Sequence, residues 1–189
     1  VQTCALPISV GEYNDVATAV IAGCKNPAAG KCASINGTGC SNVAGADQVA
    51  DCPAGTYHDG NSATGTCSNP GIGKCAAATS GASVCSAAVG AQAALDCPAG
   101  TYSTVTAAPV TACSNPGICK CAAATSASSV CSTAAGAQAA LDCPAGTYST
   151  VTAAPVTACL IPGIGNCAKA LPADTTCSTA AGAQGLLSC

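Results

Sequence analysis

The sequence predicts a small, disulfide-rich tandem-repeat protein: an elongated rod of β-hairpin plus short-helix modules with little hydrophobic core. Its 189 residues include 18 cysteines, a frequency typical of disulfide scaffolds. The motif DCPAGTY recurs every 45 to 46 residues, which indicates modules that stack on their nearest neighbours. The chain has 7 leucines, 7 isoleucines and 13 valines but no phenylalanine, methionine or tryptophan, so disulfides must supply stability that apolar burial supplies elsewhere.

The repeated motif divides the chain into four repeats. It begins one residue before the first cysteine of each of the last three. The N-terminal repeat keeps two of the cysteine spacings of the others and alters the rest, as terminal repeats often do. We therefore define repeat 1, which is diverged, as residues 1-51, repeat 2 as 52-96, repeat 3 as 97-142 and repeat 4 as 143-189.

Each repeat is predicted to contain a hairpin, a turn and a short helix, as repeat 3 illustrates. Residues 101–106 (TYSTVT) and 109–113 (PVTAC) are rich in β-branched residues and predict the two strands of a hairpin. The next segment, Asn115-Pro116-Gly117, has strong turn chemistry. The alanine-rich segment 131–143 (CSTAAGAQAALDC) offers serine or threonine as N-cap and predicts a helix of two to three turns, held by the cysteines at its ends.

The cysteines are interpreted as disulfide partners and not as metal ligands. Most are separated by 7 to 15 residues, which are loop-closing distances, whereas zinc sites typically use close pairs such as C-x2-C. The only close pair is Cys119 with Cys121, and histidine is nearly absent. Because disulfides persist in oxidising compartments, we expect an extracellular protein without a metal or cofactor.

No set of residues indicates catalysis, and we expect no enzymatic activity. His58 is the only histidine, has no nucleophile motif beside it, and is expected in a surface loop. Asp51, Asp96 and Asp142 each end a repeat, about 45 residues apart, so a local hydrogen-bonding or helix-end role is expected for them and not a catalytic acid pair. The net charge of −3, without a basic cluster, indicates no nucleic-acid partner.

Glycans are expected partners. Asn36-Gly37-Thr38 is the one acceptor triplet for N-glycosylation in the sequence. Serine and threonine runs at 101–106, 125–129 and 147–152 are compatible with O-glycans.

The longest apolar run, Val16 to Cys24, is about half the length of a membrane span. We therefore expect a soluble chain, a mature or partial product whose membrane anchor would lie outside it.

These motifs resemble those of the immobilization antigens of ciliates, over nearly the whole chain from Cys24 onward. CPAGTY opens each of the last three units, GAQAALDC closes a unit at Gly90 to Cys97 and Gly136 to Cys143, and alanine- and threonine-rich filler lies between. The resemblance implies a cysteine-rich protein that coats the cell and ciliary membrane, usually through a glycolipid (GPI) anchor, without established enzymatic activity. The chain lacks the close C-x2-C or C-x3-C pairs of many family members, and CPxGTY also occurs in receptor-type cysteine-rich modules.

We predict that the first two cysteines of each repeat pair across the hairpin, as in the first module of receptor-type cysteine repeats, and that the next two pair with each other. Four cysteines allow three connectivities, so the spacing leaves the others open. The predicted pairs are Cys4–Cys24, Cys32–Cys40, Cys52–Cys67, Cys75–Cys85, Cys97–Cys113, Cys121–Cys131, Cys143–Cys159 and Cys167–Cys177.

Cys119 and Cys189 are left over by this pairing. Cys119 stands where repeats 2 and 4 have Gly73 and Gly165, and Cys189 would open a further unit. A leftover cysteine in a secreted protein suggests an intermolecular bridge or a free thiol. The alternatives are a bridge between chains, a buried free thiol at Cys119, and a partner for Cys189 beyond this chain.

Three functions fit the sequence. The first is a surface-coat antigen, the second a subunit of an extracellular filament or glycan-coated fibril, and the third a secreted receptor-type binding module. In the first two the expected partner is the chain itself, through lateral coat or filament assembly.

Overall fold

The fold is a series of short two-stranded sheets joined by long irregular segments. The computed structural model describes residues 12–13, 25–42, 46–61 and 65–188. Strands pair as β1 with β2, β3 with β4, β5 with β6 and β7 with β8, and each described repeat contributes to one such sheet. The strands are β1 (Lys31–Ser34), β2 (Gln48–Asp51), β3 (Lys74–Ala77), β4 (Ala93–Asp96), β5 (Lys120–Ala123), β6 (Ala139–Asp142), β7 (Asn166–Lys169) and β8 (Gly185–Ser188).

The prediction of repeated β-hairpin pairs is confirmed, but the strands lie elsewhere than expected. In repeat 3 the ladder is formed by β5 and β6, antiparallel, with Lys120 opposite Asp142 and Ala123 opposite Ala139. The predicted hairpin at 101–113 contributes a single bridge, from Tyr102 to Ser114. The β-branched residues of this segment therefore do not form a strand ladder with each other, because their backbone groups hydrogen-bond to other segments.

The predicted short helix is wrong. No helix is present in the described part of the chain, and the end of the alanine-rich segment is strand β6. Gly136 has a left-handed backbone (φ 80°), which interrupts a right-handed helix, and Ser132 accepts a hydrogen bond from the amide of Ala134, forming a local turn. A helix this short has little stability of its own, so pairing with β5 decides the conformation.

A tyrosine in each repeat joins three segments of backbone. Tyr102 bridges Ser114 in antiparallel and Ala137 in parallel orientation. The amide of Tyr102 donates to the carbonyl of Ser114 (2.9 Å), and the amide of Ser103 donates to that of Ala137 (3.1 Å). The two bridges recur at Tyr13, Tyr57 and Tyr148. Repeat 1 therefore shares this part of the fold despite its altered cysteine spacing.

Seven disulfides are present in the described part of the chain, and each joins cysteines that the sequence prediction pairs. The predicted Cys4–Cys24 pair and Cys189 lie outside the described residues. The first cysteine of most pairs is fully buried, so the disulfides form the centre of each repeat together with alanines such as Ala76 and Ala122. The disulfides are Cys32–Cys40, Cys52–Cys67, Cys75–Cys85, Cys97–Cys113, Cys121–Cys131, Cys143–Cys159 and Cys167–Cys177.

The chain divides into two compact units whose limits cut across the repeats. Sheets β1–β2 and most of β3–β4 belong to the first unit, and sheets β5–β6 and β7–β8 to the second. The first unit comprises Val1–Gly71, Cys75–Leu95 and Thr106–Ala112, and the second Ile72–Lys74, Asp96–Val105 and Cys113–Cys189.

We expect complete reduction of the disulfides by a dithiol to unfold the chain. Closing a loop of about 15 residues contributes roughly 3 kcal/mol in the chain-entropy model, and a core of alanine and cysteine buries too little area to replace several such terms. Circular dichroism and protease resistance, compared with those of the oxidised chain in the same buffer, measure this. A reduced chain that kept the oxidised spectrum would contradict a fold held by its disulfides.

Candidate functional site: the contact between consecutive repeats

Consecutive repeats are joined through their backbones. The backbone of Val156 in repeat 4 lies between Gly100 and Ala122 of repeat 3. The amide of Val156 donates to the carbonyl of Gly100 (2.9 Å), and the amide of Ala122 donates to the carbonyl of Val156 (2.9 Å). The valine is 4% exposed, so it fills the space between the two repeats. We call this arrangement the stacking contact.

The same contact occurs one repeat earlier, within the first unit. The amide of Val110 donates to Gly55 (2.8 Å), the amide of Ala76 donates to Val110 (2.9 Å), and the valine is 5% exposed. Two copies with matching distances show that the contact is a property of the repeated sequence.

Glycine is required on the receiving side of the stacking contact. Gly100 has φ +83°, and a Cβ there would lie 2.8 Å from the Val156 nitrogen and 2.9 Å from the Pro155 Cβ. Gly55 meets Val110 and Pro109 at the same distances. A side chain would therefore separate the two backbones as well as strain the left-handed conformation.

A second set of backbone contacts between repeats involves the residue that precedes the Lys-Cys pair at the start of strands such as β3 and β5. In repeat 2 the amide of Gly73 donates to Ser103 (2.8 Å), and the carbonyl of Gly73 accepts from Cys97 (2.8 Å). A Cβ on Gly73 would approach the carbonyl oxygen of Gly136 to 2.5 Å. This position also selects glycine.

Cys119 occupies that glycine position in repeat 3. It is the one described non-glycine residue with positive φ (61°), yet it keeps the same partners: its amide donates to Ser149 (3.1 Å) and its carbonyl accepts from Cys143 (2.7 Å). The thiol is free and half-buried. Of the alternatives that the sequence left open for Cys119, the free thiol is the state seen within this chain.

The surroundings of the Cys119 thiol disfavour its ionised form. Burial is the largest effect and raises the pKa of the thiol above its ordinary value. The Lys120 ammonium and a hydrogen bond with the Gln184 side chain lower the pKa, whereas the Asp142 carboxylate raises it. A protonated thiol is a weak nucleophile, so Cys119 is poorly activated for exchange.

The recurring aspartates form ion pairs across the ends of their sheets. Lys31 and Asp51 are 2.7 Å apart, and Lys74–Asp96 and Lys120–Asp142 pair in the same way. The expected local role is therefore found, whereas a helix-end role is excluded because these aspartates end strands. The side chains are roughly half exposed, so each pair contributes only about 0 to 1 kcal/mol.

The expectation that His58 lies in a surface loop is wrong, because it is 2% exposed. Its Nδ1 accepts a hydrogen bond from the amide of Gly60 (3.1 Å), and its Nε2 has no partner among the described residues. Ser103 and Ser149 occupy the equivalent buried position and accept from the amide two residues later. The imidazole thus replaces a serine hydroxyl in a local turn, and the alignment with two serines was the sequence signal for this role.

The glycosylation triplet is accessible. Asn36 is exposed, and its Oδ1 accepts hydrogen bonds from the amide (3.2 Å) and hydroxyl (2.7 Å) of Thr38. Thr104, Thr106 and Thr150 in the serine and threonine runs are also exposed.

Two disulfides of neighbouring repeats lie against each other in each unit. Sγ of Cys40 is 3.5 Å from Sγ of Cys67, and Sγ of Cys131 is 3.7 Å from Sγ of Cys159. With Cys32 or Cys121 these atoms form groups compact enough to hold a metal ion. All of them are in disulfides, and a disulfide sulfur offers no thiolate to a metal.

Comparison with models of known protein families and with curated proteins finds no match. In the described part of the chain, no helix is long and apolar enough to cross a membrane.

We expect Cys119→Gly to raise the free energy of unfolding by about 1 kcal/mol. A non-glycine residue in the left-handed region lowers the free energy of unfolding by about 1 to 2 kcal/mol, and glycine removes this strain. Glycine also makes the unfolded chain more flexible, which offsets about 0.4 to 1 kcal/mol of that gain. Denaturant unfolding of the oxidised chain measures the change.

Matched controls separate backbone strain from crowding. Gly73 and Gly165 have similar φ values of 71° and 75°, so alanine strains the backbone at both positions. A Cβ on Gly73 would approach the carbonyl oxygen of Gly136 to 2.5 Å, whereas one on Gly165 would meet no atom within 4 Å. Gly73→Ala should therefore cost more stability than Gly165→Ala. Equal costs would show that the space at this position does not matter.

We expect alkylation of Cys119 by iodoacetamide to be slower at neutral pH than that of a cysteine in a short unstructured peptide with blocked termini. Because the raised pKa of Cys119 lowers its thiolate fraction, the rate should keep rising at alkaline pH after that of the reference has levelled. Mass spectrometry of the peptide that contains Cys119 measures the rate at each pH. A midpoint below that of the reference thiol would contradict the burial argument.

Proposed function

We propose that the chain is an extracellular structural protein of a surface coat, similar to the immobilization antigens of ciliates, and that it has no catalytic role. The observation that supports this best is the stacking contact, in which repeats are joined by backbone groups and glycines. Stability then depends on disulfides and backbone, and exposed side chains are free to vary.

The variation among repeats follows this division. Repeats 2 and 3 share the buried strand sequence KCAA in β3 and β5, where the cysteine and both alanines are buried. The loops that follow these strands differ at two positions: Gly81 and Ala82 of repeat 2 are Ala127 and Ser128 in repeat 3. A coat protein that presents a changing surface needs this combination of a constant interior and a tolerant exterior.

The chain also offers few sites for trypsin, which cleaves after lysine and arginine. It contains 5 lysines and no arginine. Lys31, Lys74 and Lys120 are held in ion pairs, and Lys169 donates to the carbonyl of Pro172 (2.5 Å). Closed disulfide loops further restrict the local unfolding that proteases require. Resistance of this kind suits a protein exposed outside the cell.

The oxidised cysteines support an extracellular location. The seven disulfides among the described residues are typical of proteins that fold in an oxidising compartment and stay there. The exposed triplet at Asn36 would receive an N-glycan in the same compartment.

An antibody against the chain should label intact, unpermeabilised source cells evenly over the surface in immuno-electron microscopy. Pretreatment of the cells with trypsin should leave the label largely in place, whereas pretreatment with a dithiol and trypsin should remove it, because reduction opens the closed loops. An antibody against a cytosolic protein serves as the negative control. Label confined to the interior of permeabilised cells would refute the proposed location.

A further inference from the structure

Disulfides of consecutive repeats touch each other within each unit, through one sulfur atom of each disulfide. Sγ of Cys40, in repeat 1, is 3.5 Å from Sγ of Cys67, in repeat 2. The contact recurs in the second unit, where Sγ of Cys131 in repeat 3 is 3.7 Å from Sγ of Cys159 in repeat 4. All seven described disulfides lie within single repeats, so a bond at either contact would join two repeats.

The cysteines that touch are the more accessible members of their disulfides. Cys40 and Cys67 are half-buried, whereas their partners Cys32 and Cys52 are both 0% exposed. A thiol that enters from solvent therefore reaches the cysteines at the contact before it reaches their partners. The second unit has the same division, with Cys131 and Cys159 half-buried and Cys121 and Cys143 0% exposed.

Opening either disulfide of a touching pair places a thiolate against the other disulfide. When Cys32–Cys40 is reduced, the Cys40 thiolate lies beside Cys67. Its attack forms a Cys40–Cys67 bond, breaks the bond between Cys67 and Cys52, and releases Cys52 as a thiolate that takes a proton from water. When the other disulfide is reduced first, the Cys67 thiolate attacks Cys40 and releases Cys32. Both routes give the same bridge.

The exchange requires a reductant that supplies two electrons for each touching pair of disulfides. A thiol supplies them and is oxidised to its own disulfide, and a phosphine is oxidised to the phosphine oxide. The products are one disulfide between the repeats and two thiols, Cys32 and Cys52, at fully buried positions. Burial disfavours the thiolate, which is the attacking form, so the reverse exchange is slowed.

We propose that the contacts of Cys40 with Cys67 and of Cys131 with Cys159 are thiol–disulfide exchange sites. Mild reduction there converts two disulfides within repeats into one disulfide between repeats. The bridge holds the two repeats together covalently, at the expense of the closed loops within them. The inference goes beyond the proposed surface role and does not depend on it, because the reaction requires only the folded chain and a reductant.

Partial reduction of the oxidised full chain tests the proposal. The chain is treated at mildly alkaline pH with less water-soluble phosphine than it has disulfides, blocked with N-ethylmaleimide in acidic denaturant, digested with pepsin and mapped by tandem mass spectrometry. The Cys40–Cys67 peptide should exceed every other non-native pair between repeats 1 and 2 by about tenfold, because sulfurs in contact react as an intramolecular pair. At acidic pH the phosphine still opens disulfides, but thiolates are absent and the bridge should not form.

Two variants should form the bridge without any reductant. Cys32→Ala leaves Cys40 as a free thiol, and Cys52→Ala leaves Cys67 as one. Each thiol should attack the neighbouring disulfide, so both variants should contain the Cys40–Cys67 bond. Cys167→Ala is the matched control, since it opens a disulfide of repeat 4 that touches no other disulfide in the described part of the chain. It should leave the native pairing of repeats 1 and 2 unchanged.

Several outcomes would overturn the proposal. They are a partly reduced chain whose remaining disulfides are all native, and variants that keep a free thiol at Cys40 or Cys67 beside an intact disulfide. Non-native pairs spread evenly over the cysteines would also overturn it, because unfolding and not the sulfur contact would then direct the exchange. A bridge that formed equally at acidic pH would contradict a thiolate mechanism. None of these bears on surface labelling of cells, so a failed exchange site and a failed surface role are distinguishable.

Discussion

The approach of two backbones without an intervening side chain is the constraint on which the rest of this structure depends. At Gly100 and Val156 the repeats meet at hydrogen-bond distance, and a single methyl group at Gly100 would separate them. This requirement explains why the chain is rich in glycine and alanine and almost free of large aromatic residues. Larger side chains would bury more area, but they would hold the repeats apart.

The disulfides are a consequence of the same constraint. Small residues contribute little hydrophobic stabilisation, so the long segments between the strands must be restrained in another way. Repeats 2 and 3 therefore each place a buried half-cystine, Cys75 or Cys121, beside an alanine that hydrogen-bonds to the next repeat. Because stability resides in backbone and disulfides, the exposed loops are under little structural restriction, which suits the proposed role in a surface coat.

Cys119 departs from this rule. It puts a side chain where the other repeats have glycine, and it keeps the backbone hydrogen bonds at the expense of a strained φ. The contact between repeats is therefore formed at this position, but with a strained backbone.

The sequence by itself determined the repeats and the disulfide-rich character. The partners of the described cysteines were predicted from the likeness to receptor-type cysteine repeats, because the spacing alone leaves three connectivities open for four cysteines. It also located Cys119 as the cysteine outside the pattern. It did not determine the secondary structure. Ala139 and Ala140 lie in a segment that predicted a helix, but they belong to strand β6. A short alanine-rich segment has little conformational preference of its own, so strand pairing overrides it. The prediction that His58 lies at the surface was wrong for a related reason. Its turn is local, but its burial depends on other segments that cover this turn. Only the tertiary structure decided which backbones touch, and those contacts select glycine and alanine through the space available, which no local sequence pattern encodes.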